Sequence, residues 1–160
     1  MIVWRIAPKE FSADVLDGQG AVYGPGRWHE KGTPLVYVAS TLSLAQLEVF
    51  MHLGPEGQDI DYVRAEIEIP PKMTIDVIPP ANLPSDWNAS PAPWTTKNYG
   101  MQWIRSRTAA VLKVPAVFSP GEFNYILNPA HREFHKIKVV SIVPHRFDGR
   151  MWKDSPVKTK

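Results

Sequence analysis

Leu35-Val36-Tyr37-Val38-Ala39-Ser40-Thr41-Leu42-Ser43-Leu44-Ala45-Gln46-Leu47-Glu48-Val49-Phe50-Met51-His52-Leu53 changes periodicity part-way along. Leu35 to Ala39 is a short apolar run, which reads as a buried strand. Ser40 and Thr41 break it. From Leu42 the spacing is helical: Leu44, Leu47 and Met51 fall on one stripe, and Gly54-Pro55 ends the helix after about ten residues, roughly 15 Å. Ser43 with Gln46 three residues on resembles a capping box. Glu48 lies within the apolar stripe. A carboxylate turned toward a core is costly unless it is paired, so Glu48 is either a structural ion pair or part of a site that needs a carboxylate in a cleft.

Outward from this unit, strands alternate with few helices. Ile2 to Ile6 reads as a first strand carrying Arg5, Tyr62 to Ile69 as a strand with one wet face, and Met73 to Ile78, Ala116 to Phe118, Asn124 to Leu127 and Lys136 to Val143 as further strands. Tyr99 to Lys113 reads as a second helix, with Trp103, Ala110, Val111 and Leu112 on its apolar side. Residues 17 to 34, rich in glycine, read as a loop, and the seven prolines between Pro70 and Pro93 as an extended surface loop. These elements predict an α+β fold, a mixed and largely antiparallel sheet with two or three helices.

The 160 residues fit one domain, expected over 1–152, followed by a basic tail at 153–160 that reads as a solvated end. A net charge of +2 gives no field suited to direct nucleic-acid contact. The lack of cysteine excludes disulfides and thiolate chemistry. The start of the chain does not read as a signal peptide, and no apolar run approaches the roughly 18 residues of a membrane span. A cytoplasmic protein is expected. His29, His52, His131, His135 and His145 have no metal-ligand spacing, so no metal is expected. No phosphate-loop or dinucleotide motif is present.

Candidate site residues fall at element ends. Arg27, in Gly24-Pro25-Gly26-Arg27-Trp28-His29, is suited to bidentate phosphate binding, although a loop arginine is more often solvated. Tyr37 is either a core residue with a satisfied hydroxyl or a ligand platform. Ser40-Thr41 is either a helix cap or a ligand contact. Arg5 could equally form a strand-edge ion pair. Trp28, Trp87 and Trp94 are either interface anchors or core residues.

Taken in order, Trp4-Arg5-Ile6, Gly26-Arg27-Trp28-His29, Val36-Tyr37-Val38-Ala39-Ser40 and Leu47-Glu48 resemble the RES domain. Val114-Pro115, Asn124-Tyr125-Ile126-Leu127-Asn128-Pro129-Ala130-His131 and Phe147-Asp148-Gly149-Arg150 extend the resemblance over about residues 2 to 152. The resemblance implies an ADP-ribosyltransferase-like fold and the toxin of a toxin–antitoxin pair with an Xre-like antitoxin. It implies NAD as substrate, cleaved at the nicotinamide–ribose bond by phosphorolysis or hydrolysis. The alternative is transfer of ADP-ribose to a protein acceptor such as phosphoribosyl pyrophosphate synthetase. A homodimer is compatible with the family.

On this resemblance Glu48, Arg27 and Tyr37 are the catalytic set, with Arg5, Ser40, Asn124 and Asn128 as further NAD contacts. Position 116, where family members commonly carry serine, is alanine here. Alanine offers no hydrogen bond, and Ser119, on the opposite face of a strand, would be a poor substitute. An attenuated module that binds NAD or antitoxin is the remaining alternative.

Overall fold

A computed structural model describes residues 1–152; the expected tail, 153–160, lies outside the described residues. Seven strands form one sheet: β1 (Ile2–Pro8), β2 (Val36–Ala39), β3 (Tyr62–Glu68), β4 (Ile75–Val77), β5 (Val111–Pro115), β6 (Phe123–Leu127) and β7 (Lys138–His145). Their spatial order is β4-β5-β6-β2-β1-β3-β7. Every neighbouring pair is antiparallel except β4 with β5. Three α-helical segments accompany the sheet: α1 (Gly20–Tyr23), α2 (Leu42–Phe50) and α3 (Trp94–Ser106). The α+β architecture expected from the sequence is the one observed.

Alternation along the strands sorts side chains onto two faces. Val36, Val38, Tyr125, Leu127, Val3, Ala65 and Ile67 pack on one face with Val15 and Ile137. The other face carries two clusters. Around Leu35, Leu112, Val114 and Ile126 it is covered by Trp28 and by Trp103 of α3, with Tyr37 packed alongside. Around Ile6, Ala39 and Tyr62 it is covered by Leu44 and Ala45 of α2. Strand β2 thus runs from one cover to the other, and the boundary between them, from Tyr37 to Ala39, forms a seam.

Beta-1 and β2 share a single register pair, Trp4 with Ala39. The Arg5 guanidinium also reaches β2, Nη1 donating to the Tyr37 carbonyl at 3.0 Å. Gly100 brings α3 against the glycine-rich loop, since a Cβ there would stand 1.9 Å from the Trp28 carbonyl oxygen.

Four local expectations are corrected. Thr41, not Ser43, caps α2: its hydroxyl accepts from the Leu44 N–H at 3.1 Å, so the Ser43–Gln46 box does not form. The buried side of α2 is Leu44 and Ala45, whereas Met51 is 51% exposed. The second helix spans Trp94–Ser106 and ends where Arg107 adopts φ 52°, so Ala110 falls in the bend before β5 and Val111 and Leu112 enter that strand rather than continuing the helix. A run buried on both faces has no two-residue alternation, which is why it reads equally well as helix. Residues 116–118 follow β5 outside any strand, with 117 and 118 as bends.

Candidate active site

Glu48 projects from the second turn of α2 into the seam. One carboxylate oxygen, Oε1, accepts from Asn124 Nδ2 at 2.6 Å. Asn124 is held in place by the sheet, paired with Ala39 on one side and Val114 on the other. Burial pushes the Glu48 carboxyl above its ordinary value, opposed by the Asn124 hydrogen bond and the charges of His52 and Arg27. Among the described residues Oε2 has no hydrogen-bond partner, which leaves it free for a ligand hydroxyl.

Arg27 lies within electrostatic reach of both Glu48 and Tyr37, which oppose the downward push of burial on its guanidinium. Its Nη1 donates to the carbonyls of Trp87 at 2.6 Å and Ala89 at 2.9 Å. The proline-rich segment is therefore fastened to the glycine-rich loop by the side chain expected to bind phosphate. Nη2 and Nε make no hydrogen bond among the described residues and remain as a donor edge.

Tyr37 packs its ring with the Trp28 and Trp103 cover and sets its hydroxyl against the 26–29 turn. That hydroxyl lies 2.8 Å from His29 Nδ1, and the Trp28 N–H donates to it at 3.3 Å. Burial raises the phenol above its ordinary value, the Trp28 hydrogen bond and Arg27 opposing.

The structure brings Glu48, Arg27, Tyr37 and Asn124 together. Arg5 approaches from behind β2, reaching the Tyr37 backbone; among the described residues it is in no ion pair, and its buried Nε has no partner. Ser40 sits at the end of β2, its N–H donating to the Phe123 carbonyl, and its hydroxyl makes no hydrogen bond among the described residues. Asn128 is not brought to the seam. It is 1% exposed, its Oδ1 accepts from the Ala130 N–H at 3.0 Å, and its Nδ2 donates to the Ile104 carbonyl at 3.4 Å. One polar end is spent on the turn after β6 and the other on the end of α3.

Ala116 is buried in the α2 cluster. Ser119 donates to Glu122 Oε2 at 2.6 Å, and Thr41 donates to the other oxygen at 2.9 Å. Ser119 therefore does not stand in for a serine at 116. Trp28 is core, Trp87 packs against the same cluster and Trp94 is 68% exposed.

Sequence reasoning missed the Tyr37–His29 contact and the carbonyls that hold Arg27. The Gly26-x-x-His29 spacing was the available signal for the first, a tight turn with a ring folded back over its glycine. Backbone carbonyls leave no signal in residue identity. A hollow of about 300 Å³ bounded by Tyr62, His145, Phe147 and Trp152 contains none of the seam residues, so the seam is marked by its chemistry rather than by volume. Among the described residues no three histidines or carboxylates are placed to hold a metal, and no helix is long and apolar enough to cross a membrane.

Residues 2–149 match the family model of the RES domain. The chain belongs to the RES domain family. The "Prs ADP-ribosylating toxin" of Sphingobium sp. (strain YBL2) is 40% identical over 152 residues, covering 92% of this chain and 94% of the relative. A protein named Toxin Res from Photorhabdus laumondii is 39% identical over 155 residues, covering 96% and 98%. The fold matches the M. tuberculosis MbcT–MbcA toxin–antitoxin complex with a TM-score of 0.76, over 91% of this chain and 84% of that one. At 16% identity that likeness speaks for the fold alone. On its family membership the chain is a RES-type toxin.

Proposed function

We propose that this RES toxin binds NAD in the seam between α2 and the glycine-rich loop and breaks the nicotinamide–ribose bond. One observation carries the reading: a half-buried carboxylate, Glu48, held through one oxygen by Asn124 and facing the Arg27 guanidinium across the seam.

Breaking that bond develops positive charge on the ribose, as in glycoside chemistry, and nicotinamide departs as a neutral group. No strong acid is needed. Ionised Glu48, fixed before the reaction begins, stabilises that charge and accepts from a ribose hydroxyl through Oε2; preorganised charge of this kind is often the largest catalytic contribution. Arg27 offers Nη2 and Nε to the pyrophosphate, with Arg5 adding positive charge from beneath. The Tyr37 ring meets the nicotinamide. Ser40, beside the seam, is a further ribose or amide contact.

The acceptor is phosphate or water in the first reading. Transfer to a protein is the second, favoured by the name of the Sphingobium relative. The MbcT–MbcA assembly supports an antitoxin as partner here too; an Xre-like antitoxin that covers the seam, and a homodimer, complete the proposal. Incubation of purified protein with NAD, with and without inorganic phosphate, tests it by chromatography. Free nicotinamide is the expected product, with ADP-ribose or its phosphate naming the acceptor. Biotinylated NAD distinguishes transfer by labelling a protein. Absence of both nicotinamide release and label would refute the reading.

A further inference from the structure

His29 takes no part in the reaction as set out above, yet it is among the most constrained polar residues of the seam. It is 3% exposed. Its Nε2 lies 3.0 Å from the Ala21 carbonyl oxygen and 3.1 Å from that of Gly24. Carbonyls only accept, so Nε2 carries the ring proton. In the neutral ring Nδ1 is then a lone pair, and the Tyr37 hydroxyl, 2.8 Å away, donates to it. The Trp28 N–H donates to the same phenolic oxygen. The phenol has thus spent its proton and one lone pair, and toward a ligand it can only accept.

The surrounding turn is built for this contact. Gly26 and His29 form a β-bridge, the Gly26 N–H donating to the His29 carbonyl at 3.1 Å. A Cβ on Gly26 would stand 2.5 Å from His29 Cε1, 2.7 Å from Nδ1 and 2.9 Å from the Tyr37 hydroxyl. Only glycine at 26 lets the two rings close to a centroid separation of 5.5 Å. Arg27, between Gly26 and His29 in sequence, is carried by the same turn.

We propose that His29 is a positioning residue, which fixes the Tyr37 ring by accepting a hydrogen bond from its phenol at Nδ1 and so sets the surface that meets the nicotinamide end of the substrate. The role rests on the NAD reading given above. It involves no proton transfer. Both ring nitrogens are engaged, one by carbonyls and one by the phenol, so His29 cannot serve as a general base toward substrate.

The test compares His29→Asn, His29→Leu, Tyr37→Phe and the double variant His29→Leu/Tyr37→Phe in NAD turnover. Asparagine places its carboxamide oxygen near the Nδ1 position and keeps the acceptor; leucine removes it. Leucine is expected to lower kcat by about 10- to 100-fold, the scale of an ångström-sized misplacement, with a smaller change in KM. Asparagine should restore most of the loss, and leucine should add little once Tyr37 is phenylalanine. Leucine at wild-type kcat, asparagine no better than leucine, or fully additive losses would overturn the proposal.

Imidazole nitrogen NMR of the wild-type protein provides a readout that requires neither turnover nor a folded variant. Protonated Nε2 and unprotonated Nδ1, hydrogen-bonded to the phenol, are expected; the opposite tautomer would overturn the proposal. If wild type left NAD intact while showing this signature, the NAD reading would fail and the His29–Tyr37 lock would stand.

Discussion

Gly26→Ala is the substitution whose consequence can be worked from distances alone. The added methyl would lie 2.5 Å from His29 Cε1, and ordinary contact begins at 3.4 Å. The imidazole must therefore retreat by about 0.9 Å, and the Tyr37 hydroxyl, at 2.9 Å, by about half an ångström. Neither can do so freely, because His29 is tied to two carbonyls and Tyr37 lies within β2. Overpacking of this kind costs about 1–3 kcal/mol, and loss of the Tyr37–His29 hydrogen bond about 1 kcal/mol more. For a domain of this size that corresponds to a fall in Tm of roughly 4–16 °C. Turnover should fall further than stability, since the same turn carries Arg27 and a shift near 1 Å costs on the order of 100-fold in rate.

Gly24→Ala is the matched control. Gly24 is extended, at φ −150° and ψ 156°, and a Cβ there meets nothing within 4 Å. It should leave Tm unchanged or raise it slightly through the unfolded chain. Calorimetry and NAD turnover on the two variants decide the matter. Equal melting and equal turnover for Gly26→Ala and Gly24→Ala would refute the packing argument.

Glu48→Gln should reduce turnover by at least about 100-fold. Burial raises the carboxyl, so the folded protein holds that proton more tightly than the unfolded chain, and wild type loses stability as pH rises from the ordinary carboxylate range through the raised value. The glutamine variant escapes this loss, so its advantage in Tm should grow over an acid-to-neutral series of melts; a constant difference would contradict it. Asn124→Ala removes the hydrogen bond that holds Glu48 down, and the acid limb of the pH–rate profile should move to higher pH. Thr41→Val removes both the α2 cap and the bond to Glu122, at a cost of about 1 kcal/mol, seen as a Tm lowered by roughly 2–4 °C.

What could be read from sequence was whatever depends on local periodicity. The β2-to-α2 unit, Tyr62–Glu68 and Phe123–Leu127 announce themselves by alternation or by a short apolar run with clear breakers. Strand β5 did not, because Val111, Leu112 and Val114 are all buried and a doubly covered strand looks like the side of a helix. Glu48 was legible because a carboxylate in an apolar stretch needs a reason. Asn128 misled for a related cause: a buried asparagine also needs partners, and here the 128–131 turn and the end of α3 supply them. The Arg27 clamp was invisible, since its acceptors are main-chain oxygens some 60 residues away.

Ala116 offers the sharpest check on how this site divides its labour. The side chain at 116 lies among Ala39, Leu44 and Ala45, beneath α2, and its own N–H donates to the Glu122 carbonyl. A serine there would bring a hydroxyl into apolar surroundings, a burden unless Glu48 or a substrate oxygen accepts from it. In this chain Asn124 already supplies a hydrogen bond to Glu48, at 2.6 Å, from a strand whose register fixes its direction. With one carboxylate oxygen held by Asn124 and the other left for substrate, a second donor should be an adjustment rather than a requirement. Ala116→Ser is therefore expected to change turnover by less than about tenfold, the worth of a single hydrogen bond, while the chain with alanine remains active. Parallel assays with NAD settle it. Silence of the alanine protein beside turnover by Ala116→Ser would show that position 116 supplies an essential contact and that Asn124 alone does not prepare Glu48 for the reaction.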